Sequence, residues 1–132
     1  GAARVNLTPP KLLGITILTS WTQESFVADL LIDHPIDQRV KHLAQIASNA
    51  GLGGCVCSPR EVQALGKIYP ETFELVTPGI RPLGSDINDQ SRVSDASEAL
   101  RMGASKLVIG RAITQSNDPA YMFKSFCDKA FI

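Results

Sequence analysis

A chain of 132 residues suits one compact domain, and its 44% apolar residues suffice for a core. Thirteen basic and thirteen acidic residues cancel, which excludes a general nucleic-acid surface and confines any anion site to a local feature. No apolar run reaches the roughly 18 residues of a membrane span and no signal-peptide pattern opens the chain, so no membrane partner is expected.

The chain opens Gly1-Ala2-Ala3 without methionine, which predicts a natural protein that starts earlier. Leu12 to Leu18 is an apolar run of strand type that ends at Thr19-Ser20. Gln38 to Asn49 follows as a helix, with Val40, Leu43, Ala44, Ile46 and Ala47 at helical spacing and Gly51 beyond its end. A second strand is expected over Gly54 to Cys57, stopping at Ser58-Pro59. The next helix, Pro59 to Lys67, has Ser58 as N-cap, Pro59 at its first position and Glu61 in place for a capping box. Phe73 to Val76 reads as the third strand, closed by Thr77-Pro78-Gly79. Pro78 to Arg92 has no apolar periodicity and is made polar by Arg81, Asp86, Asp89, Gln90 and Arg92; a loop of that length within a compact domain reads either as a solvated loop or, more sharply, as a lid that folds over a bound anion. A helix is expected over Asp95 to Met102, ended by Gly103, and a fourth strand over Lys106 to Ile109. The last helix, Asp118 to Phe131, opens with an Asp cap and Pro119; its expected apolar face is Phe123, Phe126, Cys127 and Ala130.

Continuous apolar strands alternating with helices predict parallel βαβ units buried on both faces of the sheet. Part of a (β/α)8 barrel and a small open sheet both fit, over a single domain of residues 1–132. In either architecture ligands bind at the carboxyl ends of the strands. Gly110-Arg111 stands at such an end. There glycine admits a close ligand, helix N–H groups favour an anion and an arginine adds a bidentate contact to phosphate. Cys55, Cys57 and Cys127 are odd in number and lack a framework spacing, which predicts free thiols and a reducing, cytoplasmic setting. Cys55 and Cys57 read as small core residues, and His34 and His42 as solvated side chains. No metal site is predicted.

Five segments carry a resemblance. They are Thr16-Ile17-Leu18-Thr19-Ser20, Gly54-Cys55-Val56-Cys57-Ser58, Leu75-Val76-Thr77-Pro78-Gly79-Ile80-Arg81-Pro82, Asp89-Gln90-Ser91-Arg92 and Val108-Ile109-Gly110-Arg111-Ala112-Ile113-Thr114. Together and in this order they resemble the C-terminal half of bacterial orotidine 5'-phosphate decarboxylase. The resemblance implies an α/β fold, the C-terminal half of a (β/α)8 TIM barrel of about four βα units, strands 5–8 of the family barrel. It implies a homodimer that converts orotidine 5'-monophosphate to uridine 5'-monophosphate (UMP) with neither metal nor organic cofactor. It places Thr19 against the pyrimidine and Pro78 in apolar contact with the ring. Arg81 and Gln90 fall on the phosphate-side loop, and Gly110 and Arg111 grip the phosphate. Ser20 is either a second contact or a plain cap. The family's lysine–aspartate array is missing: the chain has no Asp-x-Lys-x-x-Asp stretch, so it holds no catalytic residue and is expected to be inactive alone. Two other readings are a non-catalytic phosphate-binding half-barrel and a different phosphate-binding barrel enzyme, such as an isomerase or synthase of sugar phosphates.

Overall fold

Four apolar runs pair their backbones side by side, in chain order and all parallel, as β1 (Leu13–Ile15), β2 (Gly54–Val56), β3 (Glu74–Thr77) and β4 (Lys106–Leu107). These elements belong to a computed structural model that describes Arg4 and residues 7–82 and 92–130. Helices cross between the strands: α1 (Gln23–Leu30) and α2 (Ile36–Asn49) before β2, α3 (Pro59–Gly66) before β3, and α4 (Ala96–Arg101) before β4. After β4 come the short α5 (Arg111–Thr114) and α6 (Pro119–Ala130), which pack on each other, with α6 also against α4. The parallel βαβ reading therefore holds.

The core lies between the sheet and its helices. Val40, Ala44 and Ala47 of α2, Cys55 and Cys57, Val62 and Leu65 of α3, and Ala96 and Ala99 of α4 are all buried there. Small residues set how closely the layers approach. A Cβ on Gly14 would lie 2.7 Å from the Ala47 Cβ, so α2 rests directly on β1. A Cβ on Gly54 would lie 2.2 Å from the carbonyl oxygen of Glu74, so β2 meets β3 there backbone to backbone.

The structure corrects several expectations. β1 stops at Ile15 rather than Leu18, because Thr16 spends both its N–H and its hydroxyl on the Val56 carbonyl (3.3 and 2.6 Å) and the chain then turns. β4 is likewise shorter, although Val108 N–H still reaches the Thr77 carbonyl at 2.9 Å. Burial on both faces fails at the sheet margins, with Ile15 62% and Val108 50% exposed. α1 is a helix that the sequence reading left out. Thr22 and Ser25 form its capping box, but only Phe26 is fully buried, so its apolar stripe is narrow. In α6, Phe126 alone is buried and Phe123 is 59% exposed, because one turn of that face meets α4 and α5 while the next runs past them.

Candidate functional site at the carboxyl ends of the strands

Parallel pairing brings every strand out at the same end of the sheet, and the predicted site residues follow those exits. Thr19 comes after β1, Pro78 and Arg81 after β3, and Gly110 and Arg111 after β4. β3 and β4 are direct neighbours, with Thr77 opposite Leu107, so Pro78 and Gly110 leave adjacent strands. β1 lies two strand spacings from β3, roughly 10 Å. Gln90 lies outside the described residues, as does most of the expected lid.

The residues differ in how they are held. Thr19 is buried, in a turn closed by the Trp21 N–H on the Leu18 carbonyl at 3.3 Å. Arg81 is also buried, at the root of its loop rather than out on it. Its backbone N–H donates to the Ser94 carbonyl at 3.0 Å, and Ser94 N–H returns to the Gly79 carbonyl at 3.2 Å. One Arg81 guanidinium nitrogen donates to the Ile80 carbonyl at 2.8 Å, while its Nε has no hydrogen-bond partner. Gly110 caps the start of α5, its carbonyl accepting from Ile113 and Thr114 at 2.8 and 3.1 Å. A Cβ there would meet no atom of the described residues within 4 Å, so they leave room at this end for a ligand. Arg111 is exposed beside it.

A buried network beneath the site was not read from the sequence. Arg92, counted there as a polar lid residue, is only 5% exposed. Its Nη1 donates to Glu61 Oε1 at 2.5 Å, and its Nη2 donates to the carbonyls of Ile17 and Leu18, both at 2.9 Å. Glu61 Oε2 accepts from Ser58 N–H at 2.8 Å and from the Ser58 hydroxyl. The capping box expected at Ser58 and Glu61 is present, but the same carboxylate also neutralises a buried guanidinium. No short-range signal gives that away, since Glu61 and Arg92 are 31 residues apart. Behind Arg92, on the helical side, Trp21, Lys41, Arg60 and Glu61 line a cavity of about 450 Å³; none of the expected ligand contacts faces it.

The cysteines are free. The hydrogen bond between Cys55 and Cys57 pulls their pKa values apart, pushing the Cys57 thiol far above its ordinary range, with burial adding to the rise, and holding the Cys55 thiol below its own. Among the described residues, no three His, Cys, Asp or Glu side chains come together as metal ligands, and no helix is long and apolar enough to cross a membrane.

Comparisons with known proteins agree on one family. The model of the orotidine 5'-phosphate decarboxylase / HUMPS family matches residues 2–126. Orotidine 5'-phosphate decarboxylase of Prochlorococcus marinus strain NATL1A is 81% identical over 132 residues, all of this chain and 55% of that protein. The enzyme of the same name from Parasynechococcus marenigrum is 51% identical over 96% of this chain and 52% of its own length. The chain thus spans about half the length of the curated relatives it matches. Among solved structures, orotidine 5'-phosphate decarboxylase from Lactobacillus acidophilus superposes with a TM-score of 0.77 at 31% identity, covering 96% of this chain and 51% of that one. The Pyrococcus horikoshii enzyme, at 21% identity and a TM-score of 0.56 over 74% of this chain and 47% of its own, shares the fold.

Proposed function

The chain belongs to the orotidine 5'-phosphate decarboxylase / HUMPS family, and from that premise we propose that it supplies strands 5–8, and the nucleotide grip, of a decarboxylase acting on orotidine 5'-monophosphate. The observation that carries the reading is the convergence of Thr19, Pro78, Arg81, Gly110 and Arg111 at one end of one parallel sheet. Arg111 and Arg81 provide positive charge for a phosphodianion at the β3–β4 side, and Gly110 leaves room for it. Thr19 stands two strands away, a separation suited to the base of the same nucleotide. Gln90, outside the described residues, takes from the family resemblance the part of reaching between phosphate and base.

Binding energy from the remote phosphate is what such an arrangement can apply to ordering the reacting end. The reacting end itself needs the lysine–aspartate array, which this sequence lacks. We assign that array to the other half of a (β/α)8 barrel, which also covers the exposed apolar flank at Ile15 and Val108. The complete enzyme works without metal or organic cofactor, as a cytoplasmic homodimer, and this chain alone does not turn over. Calorimetry on the full-length protein with UMP and with uridine tests the grip. Arg111→Ala is expected to remove about 1.5–3 kcal/mol from nucleotide binding and nearly nothing from nucleoside binding. Equal losses for both ligands would assign Arg111 to the fold, and no loss for either would end the proposal.

A further inference from the structure

We infer that Arg92 and Glu61 form a positioning pair that sets the pyrimidine selectivity of the site by fixing the turn that carries Thr19. The inference rests on the proposed nucleotide grip and deepens it. β1 ends at Ile15 and α1 begins at Gln23, so Thr19 sits in the turn between them. The carbonyls of Ile17 and Leu18 point at the Arg92 guanidinium, each accepting at 2.9 Å from the same Nη2. Thr19 is the next residue, so its backbone starts from a fixed point. The Leu18 carbonyl also accepts from Trp21 N–H, which closes the turn on the far side of Thr19. Arg92 is in turn fixed by Glu61, and Glu61 by Ser58 at the start of α3. Beyond the last backbone hydrogen bond between the two strands, Thr16 N–H to the Val56 carbonyl, two buried side chains thereby carry the hold from the start of α3 to the turn after β1.

Planarity is what allows this. One fork of the guanidinium meets the carboxylate while the other reaches two carbonyls, and a lysine ammonium cannot span both sets from one position. Burial makes each contact costly to lose, because a buried donor or acceptor left without its partner keeps its desolvation penalty. Arg92 and Glu61 are not among the residues that the family resemblance puts on the ligand. Their effect on binding passes through Thr19, so it falls on the base and spares the phosphate.

The test uses the full-length protein, Arg92→Lys, and two ligands that share a phosphate: UMP and ribose 5-phosphate. Arg92→Lys is expected to weaken UMP roughly tenfold while ribose 5-phosphate stays within about twofold. In the same variant the Trp21 amide should exchange with solvent faster, a readout that needs no ligand. Equal losses for the two ligands would reduce Arg92 to a fold residue and overturn the inference. Unchanged exchange at Trp21 would overturn it from the mechanical side. A wild-type protein that binds UMP no better than ribose 5-phosphate would instead overturn the nucleotide reading, and this inference with it. If Arg92→Lys fails to fold, Glu61→Gln carries the test: it keeps an oxygen for Arg92 but removes the charge, and it should shift UMP in the same direction by a smaller factor.

Discussion

Two ion-pair clusters tie the same sheet together, one at each end. At the amino end, Glu74 of β3 receives Lys11 at 2.8 Å and Lys106 at 2.7 Å, a tether that runs from the approach to β1 across to β4. At the carboxyl end, Arg92 joins Glu61 and the carbonyls before Thr19. The geometry is similar but the surroundings are opposite. The lysine side chains are 47% and 60% exposed, whereas Arg92 and Glu61 are 6% and 7% exposed. Water can take over much of the work of the first cluster, whereas breaking the second leaves a buried charge without its partner. The more exposed electrostatics thus lie at the end away from the candidate site, and the buried ones beneath it.

Removing one member of the buried pair should have the largest effect. Arg92→Met leaves the Glu61 charge buried and unpaired, which costs about 3–5 kcal/mol. Urea unfolding of the full-length protein measures it. Arg92→Met combined with Glu61→Leu should cost clearly less than the sum of the single changes, because the uncompensated charge is gone. Additive costs would mean that the two side chains do not act as a pair, and the contrast between the two ends would lose its basis.

Next in size is a backbone change at the amino end. A methyl group on Gly54 would run into the backbone of Glu74, at its O, N and C atoms, which cannot swing aside as a side chain can. Gly54→Ala should destabilise by about 1–3 kcal/mol through overpacking. Since Gly54 is paired with Glu74 in the ladder, the displaced strand should also disturb the salt bridges to both lysines. If Gly54→Ala matched wild type in unfolding, the close approach of β2 and β3 would not be a constraint, and the amino end would be softer than its packing implies.

What could be read from the sequence divides along the same line. The parallel sense and most helix limits follow from local signals: Ser58-Pro59 and Asp95 open α3 and α4 where expected, and the glycine after α2 marks a real stop. Thr19, Pro78, Arg81, Gly110 and Arg111 were placed at strand exits by motif, and the sheet puts those exits at one end. α1 was missed because its cap pairs Thr22 with a serine rather than a glutamate and its buried stripe is a single phenylalanine. Arg92 was misread because a charged residue in a polar, proline- and glycine-rich stretch carries the same local pattern whether it is solvated or buried. Only the tertiary fold brings Glu61 and two β1-side carbonyls to it. Glu74 and its lysines were invisible for a related reason, since 63 residues separate Lys11 from Glu74.

The smallest expected effect is the one at the exposed cluster, and pH gives it a sign. Lys106 first, then Lys11, hold the Glu74 carboxyl below the usual glutamate range. A carboxyl whose folded pKa is depressed adds stability that is present in full above its unfolded pKa and is lost as pH falls through the folded value. Glu74→Gln removes that contribution, so wild type should melt above the variant near neutral pH. The gap should narrow as the solution is acidified, beginning in the ordinary glutamate range and closing below it. Because both lysines are exposed to solvent, added salt should shrink the neutral-pH gap as well. The comparison with the buried end supplies the control: salt should move the cost of Arg92→Met less, because that pair is only 6% and 7% exposed. Thermal melts of wild type and both variants, across pH and at low and high salt, make the measurement. A Glu74→Gln gap that ignored both acid and salt would show that Glu74 acts through packing, and the two ends of the sheet would then differ in place but not in kind.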